Sequence, residues 1–246
     1  MLRGIYAAGA GMAAGLDQLD VIADNAANVQ TPGFKGRIPV VAGFRSLLLS
    51  RVRDGPVAAI GSLSTGSGVE DAVTDFSPGP MRPVEDPLAV ALSGPGFFVV
   101  QTPWGEAYTR NGMFRVDAQG RLVTGAGHPV LGEHGPIEAG ADAAILPDGT
   151  VVSGGGDVGR LRVVEFARPD ALRRVGDSLF LAGPEAGLPR PVEPALLPGF
   201  VEGANVNPVT EMVRLIAVLR AYEACQKALR AQDDTLGQAV REIARI

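Results

Sequence analysis

The stretch from Asn207 to the carboxyl terminus constrains this chain most, because it reads as one helix that a single small core is too narrow to cover. Asn207-Pro208 is a start signal. The Asn side chain caps exposed backbone amides, and Pro at the first helical position lacks only an N–H that would have had no partner. Glu211, one turn in, suits the positive end of the helix dipole. Beyond Met212, the residues Leu215, Val218, Tyr222, Cys225, Leu229, Leu236, Val240 and Ile243 form a stripe at mostly three- and four-residue steps, interrupted by Gln232. Arg220, Lys227, Arg230 and Asp233 fall off the stripe, and Glu223 to Lys227 is a favourable i,i+4 pair. At 1.5 Å per residue, roughly 35 helical residues span about 50 Å. A partner helix is required.

The amino terminus supplies a candidate. Ile5, Gly9, Met12, Leu16, Leu19, Ala23 and Ala26 alternate steps of four and three, the spacing of a coiled-coil seam. Ile22 lies beside this seam, and Ala7, Ala8, Ala10, Gly11, Ala13, Ala14 and Gly15 crowd its first half. Small residues fill a core poorly but let a neighbouring backbone come close, so dense helix packing is their expected use. Thr31-Pro32-Gly33 is the stop signal, because Pro disfavours helical geometry in the residue before it and Gly permits a reversal. Arg3 followed by an apolar stretch superficially resembles a secretory leader. The stretch is Gly and Ala rather than Leu, however, and its spacing continues through Leu19 and Ile22, as in a helix that is kept. Asn25 and Asn28 sit where amides can specify an interface or simply finish a helix.

Between these ends the period changes to two. Phe97 to Gln101, Ala107 to Arg110, Met113 to Val116, Arg121 to Thr124, Thr150 to Ser153, Leu161 to Phe166 and Ser178 to Leu181 alternate or run apolar, as strands do. Asn111-Gly112 and Asp148-Gly149 read as two-residue hairpin turns. The middle is expected to be antiparallel β. Residues 35–80 lack clear periodicity and hold Gly61-Ser62 and Gly66-Ser67-Gly68, so they read as an extended Gly/Ser-rich connector. The expected organisation is α+β: a discontinuous helical domain of residues 1–34 and 204–246, the connector 35–80, and a β-rich domain 81–203.

Composition removes several functions. The 246 residues are 46% apolar, enough for a real core, and 33 Gly with 19 Pro imply many turns without reaching the disordered range. A net charge of −5 with no basic block argues against nucleic acid as a partner. One cysteine and two histidines exclude a disulfide framework and the common zinc sites. No apolar run approaches the roughly 18 residues of a membrane span. Gly9, Gly11 and Ala14 match a dinucleotide fingerprint, but no strand precedes them, and close packing explains them better. His128, His134 and Glu133 lie in turn-forming sequence, Cys225 sits in an apolar stripe, and Asp142, Asp148 and Asp157 read as turn acids. No catalytic, cofactor or metal site is expected.

The segment Leu19-Asp20-Val21-Ile22-Ala23-Asp24-Asn25-Ala26-Ala27-Asn28-Val29-Gln30-Thr31-Pro32-Gly33-Phe34-Lys35 resembles the signature of the flagellar basal-body rod and hook axial family. Gly94-Pro95-Gly96-Phe97-Phe98, Tyr108-Thr109-Arg110, Leu122-Val123-Thr124, Asn205-Val206-Asn207-Pro208-Val209-Thr210-Glu211-Met212 and Arg220-Ala221-Tyr222-Glu223 follow the family order, so the resemblance covers nearly the whole chain. Val100 to Glu106 and Pro129 to Glu133 are most similar to proximal-rod members. The resemblance implies a non-enzymatic subunit without cofactor, exported by the flagellar type III apparatus without a cleaved signal peptide. Its partners would be other copies and other axial proteins of the rod. It implies pairing of the two terminal helices, with an assembly interface expected at Ile5, Met12, Leu16, Leu19, Ile22, Asn25, Asn28, Met212, Leu215, Val218, Tyr222, Leu229 and Leu236. A distal-rod or hook-family axial subunit and a secreted β-rich binding module are the alternatives.

Overall fold

The computed structural model describes residues 2–43, 47–51, 58–63, 66–140, 142–176 and 178–243. The fold is α+β, with a helix near each end and an antiparallel β region between them. The chain forms two compact units, one of Met1–Ala27, Arg37–Val73 and Asn207–Ile246, the other of Asn28–Gly36 and Thr74–Val206.

The first unit contains helix α1, Leu2–Ala27, and helix α2, Pro208–Ile243. The Asn207 side-chain oxygen accepts from the Val209 amide at 2.9 Å and the Thr210 amide at 3.4 Å, the cap expected at the start of α2. At the end of α1 the chain turns through Thr31 N–H to the Asn28 carbonyl, 3.0 Å. Within the stretch read as a connector, strand Arg37–Gly43 pairs with Ser67–Thr74, and Leu47–Arg51 pairs antiparallel with Ala58–Leu63. The described strands of this stretch are paired with one another.

The second unit is built on a six-stranded antiparallel sheet. Its spatial order is Leu172–Gly176, Leu179–Ala182, Gly105–Thr109, Phe97–Thr102, Val163–Glu165 and Arg190–Pro191. Both faces are covered, which explains the uninterrupted apolar run Phe97-Phe98-Val99-Val100. Phe98 and Val100 enter a core with Phe114, Leu122 and Val151. Phe97 and Val99 point the other way, into a cluster with Tyr108, Phe166 and Phe180. Edge-to-face ring pairs fix both layers, with centroids 5.1 Å apart for Phe98 and Phe114 and 4.7 Å for Tyr108 and Phe166.

Two turn expectations change. Asn111-Gly112 is not a hairpin: Gly105–Thr109 pairs within the large sheet, whereas Phe114–Val116 pairs with Leu122–Thr124. Gly112 is required for close approach instead, because a Cβ there would run into the Val90 carbonyl. Asp148-Gly149 does lie in a hairpin, between Ala144–Ile145 and Thr150–Ser153. The loop is longer than two residues, starting at Leu146, with Gly149 at φ +86° supplying the left-handed position.

Candidate assembly interface

Within the first unit the two helices run antiparallel. Gly4 lies against Gln232, Gly11 against Cys225, and Gly15 against Tyr222 and Val218. A Cβ at Gly11 would sit 3.2 Å from the Cys225 Sγ, so the absence of a side chain is what allows this approach. Along α2, Leu215, Val218, Tyr222, Cys225, Leu229, Gln232 and Leu236 are all half-buried at alternating steps of three and four. Gln232, read as an interruption, is therefore a member of the contact stripe.

On α1, Gly4, Ala8, Gly11, Gly15, Gln18, Ile22 and Asn25, at least half-buried, follow the same steps, with Ala14 and Val21 also buried beside them. They lie one residue behind the stripe read from the sequence, a rotation of about 100°. The stripe Ile5, Gly9, Met12, Leu16, Leu19, Ala23 and Ala26 thus flanks the contact face. Ile5, Met12 and Leu19 are half-buried, Leu16 is 51% exposed, and Gly9 has open space beside it. A periodicity search weights large apolar side chains, whereas this helix contact is lined by the smallest ones. On α2, Val209, Met212, Val213, Ile216 and Leu219 are exposed, Met212 at 63%.

The two asparagines act within the chain. The Asn25 amide donates to the Arg37 carbonyl at 2.7 Å, and its oxygen accepts from the Arg37 N–H at 2.8 Å. Asn28 accepts from the Thr31 hydroxyl at 3.1 Å, finishing the helix. His134 is exposed and His128 half-buried. Among the described residues, no three His, Cys, Asp or Glu side chains converge as metal donors, and no helix is long and apolar enough to cross a membrane.

A charged cluster in the second unit was not foreseen. Lys35 Nζ lies 2.6 Å from Glu202 Oε1, with both side chains fully shielded from solvent. Lys35 also donates to the Ser77 carbonyl at 2.7 Å, and Glu202 Oε1 accepts from the Gly79 amide at 2.9 Å. Arg110 stands 3.6 Å from Glu202 Oε2, donates to the Gly94 carbonyl at 2.8 Å and lies over the Phe97 ring at 5.3 Å. Burial pushes Lys35 and Arg110 below their ordinary values, and the Glu202 carboxylate opposes that in both. Asn205 adds a clamp, accepting from the Gly36 amide at 2.7 Å and donating to the Asp75 carbonyl at 2.8 Å. Residues 33–36, 75–79 and 202–205 are thereby tied together, far apart in sequence. Lys35, Arg110 and Asn205 fell within the quoted family segments, but Glu202 did not, and nothing in local spacing points from them to it.

The order of the elements agrees with three family models. Residues 5–35 match "Flagella basal body rod protein", 91–153 match "Flagellar hook protein FlgE/F/G D1 domain", and 197–242 match "Flagellar basal body rod FlgEFG protein C-terminal". The flagellar basal-body rod protein FlgF of Escherichia coli (strain K12) is 38% identical over 97% of both chains. The chain belongs to the flagellar basal-body rod family. FlgF of Salmonella typhimurium is 36% identical over 97% of both chains, and the rod protein FlgG of Bacillus subtilis 32% identical over 98% of both. The rod-protein and C-terminal models take in nearly all of α1 and most of α2, and the D1 model falls inside the β-rich unit.

Proposed function

We propose that this chain is a structural, non-catalytic subunit of the bacterial flagellar basal-body rod, of the proximal-rod type. It joins other copies and other axial proteins through its terminal helices after export by the flagellar type III apparatus without a cleaved signal peptide. The observation that carries this reading is the apolar surface left on an already paired set of helices: Leu16 on α1, and Val209, Met212, Val213 and Ile216 on α2. At about 25 cal/mol per Å² of apolar surface removed from water, such side chains drive association when a neighbour covers them. A contact that joins unlike surfaces and does not close into a ring extends a filament. In this reading Leu215, Val218, Tyr222, Leu229, Leu236 and Ile22 shape the helix pair, whereas Ile5, Met12, Leu16, Leu19 and Met212 border the neighbour. The test is Leu16→Glu with Ile216→Glu in the full chain, followed by isolation of basal bodies. The variant is expected to leave the cytoplasm yet be missing from rods, with swimming lost. Rods containing normal amounts of the variant would overturn the reading.

A further inference from the structure

The β-rich unit carries a knob and a hole that the terminal helices do not explain. The knob is Trp104, the sole tryptophan of the chain and 68% exposed. It stands at the tip of the hairpin joining Phe97–Thr102 to Gly105–Thr109, where Thr102 and Gly105 are register partners. The tip is held stiffly. Thr102 Oγ1 accepts from the Trp104 amide at 3.3 Å and donates to the Gly105 carbonyl at 2.8 Å. An exposed indole on a fixed turn presents a large apolar surface with little conformational entropy to lose, as association anchors do.

The hole is an open cavity of about 510 Å³ whose walls include Phe76, Pro78, Phe97, Phe166 and Pro169. Among the described residues that line it, Arg110 and Glu165 carry the charge. This combination fits an indole: aromatic walls for edge-to-face packing, a carboxylate to accept the indole N–H, and a guanidinium for its π face. The Arg110 Nε is buried and has no acceptor among the described residues.

Placement decides the occupant. Phe97 lines the cavity at one end of its strand, and Thr102 begins the knob at the other. At about 3.4 Å per residue, roughly 17 Å of strand separates them. A copy therefore cannot fill its own hole, yet each copy carries both halves of the contact. We infer that Trp104 of one copy inserts into the Phe97–Phe166 cavity of a second copy, a head-to-tail contact between β-rich units. Because knob and hole are different surfaces, the contact leaves one of each unused and continues into an open array. This inference rests on the rod-subunit reading and adds a second interface to it.

The test uses basal bodies assembled from the full chain carrying Cys225→Ala, Pro103→Cys beside the knob and Ser93→Cys at the exposed cavity mouth, treated with a short bismaleimide. A ladder of cross-linked copies is expected, absent from either single-cysteine chain. Adding Trp104→Ala should reduce the ladder at least ten-fold, and Trp104→Phe should retain most of it. Basal bodies that hold the double-cysteine chain but give no ladder overturn the inference, as does a ladder insensitive to Trp104→Ala or cross-linking only to a different protein. Those outcomes leave the rod-subunit reading intact. Absence of the parent chain, with Cys225 in its place against Gly11, from basal bodies refutes that reading itself.

Discussion

The two units solve the problem of packing in opposite ways. The β-rich unit closes around large side chains, with Phe98, Phe114 and Phe180 fully shielded and a charged cluster sealed beside them. The helical unit brings its helices together on Gly4, Ala8, Gly11 and Gly15 and leaves Leu16, Met212 and Ile216 at the surface. The β-rich unit therefore satisfies more of its own apolar surface than the helical one. The helical unit sets small residues of α1 against the larger stripe of α2 and leaves further large apolar side chains outward, the surface that the proposed assembly would cover.

That contrast breaks most visibly at Glu202. Glu202→Ala strands Lys35 and the nearby Arg110 in a shielded site, and removing one partner of such a pair costs about 3–5 kcal/mol. Urea unfolding followed by amide exchange should show the loss in residues 74–206, while exchange within α1 and α2 changes little. Equal loss in both units would mean that they do not fold as separate bodies. A smaller effect is expected at Gly11→Leu, which forces a side chain into the space facing Cys225 Sγ. Overpacking of this kind costs about 1–3 kcal/mol. The loss should appear as faster exchange in α1 and α2, with the β-rich unit unchanged.

The smallest effect sharpens the comparison from the surface of the β-rich unit. Asp148 accepts from the Thr150 amide at 3.1 Å and the Thr150 hydroxyl at 2.9 Å, and these bonds hold its carboxyl below the ordinary value of 3.8. A carboxyl whose folded value is depressed stabilises the fold above its unfolded value and loses that contribution as pH falls through the folded one. Asp148→Asn should therefore lower the urea midpoint slightly at neutral pH, and the difference from the parent chain should vanish in strong acid. A difference that persists there would assign the effect to hairpin geometry rather than charge.

Much of this was legible along the chain because the signals are local. Asn207-Pro208 starts α2 where the side chain caps its own turn, whereas α1 already ends at Ala27, ahead of the Thr31-Pro32-Gly33 stop read from the sequence. The run Phe97 to Val100 announced a strand through its apolar, aromatic and β-branched residues alone. These are properties of neighbouring residues and need no knowledge of the fold.

The tertiary structure decided what is meeting what. The α1 contact face is rotated by one residue from the apolar stripe, because close backbone approach at glycine outweighed the burial of Leu16. Asn111-Gly112 became a passage between sheets instead of a turn, since the pairing partners of its flanking strands lie elsewhere. Lys35 found Glu202 across 167 positions, and an ion pair of that reach leaves no periodicity to read. Local chemistry chose the helices and strands; the long-range fit of small faces, charges and strand edges chose their partners.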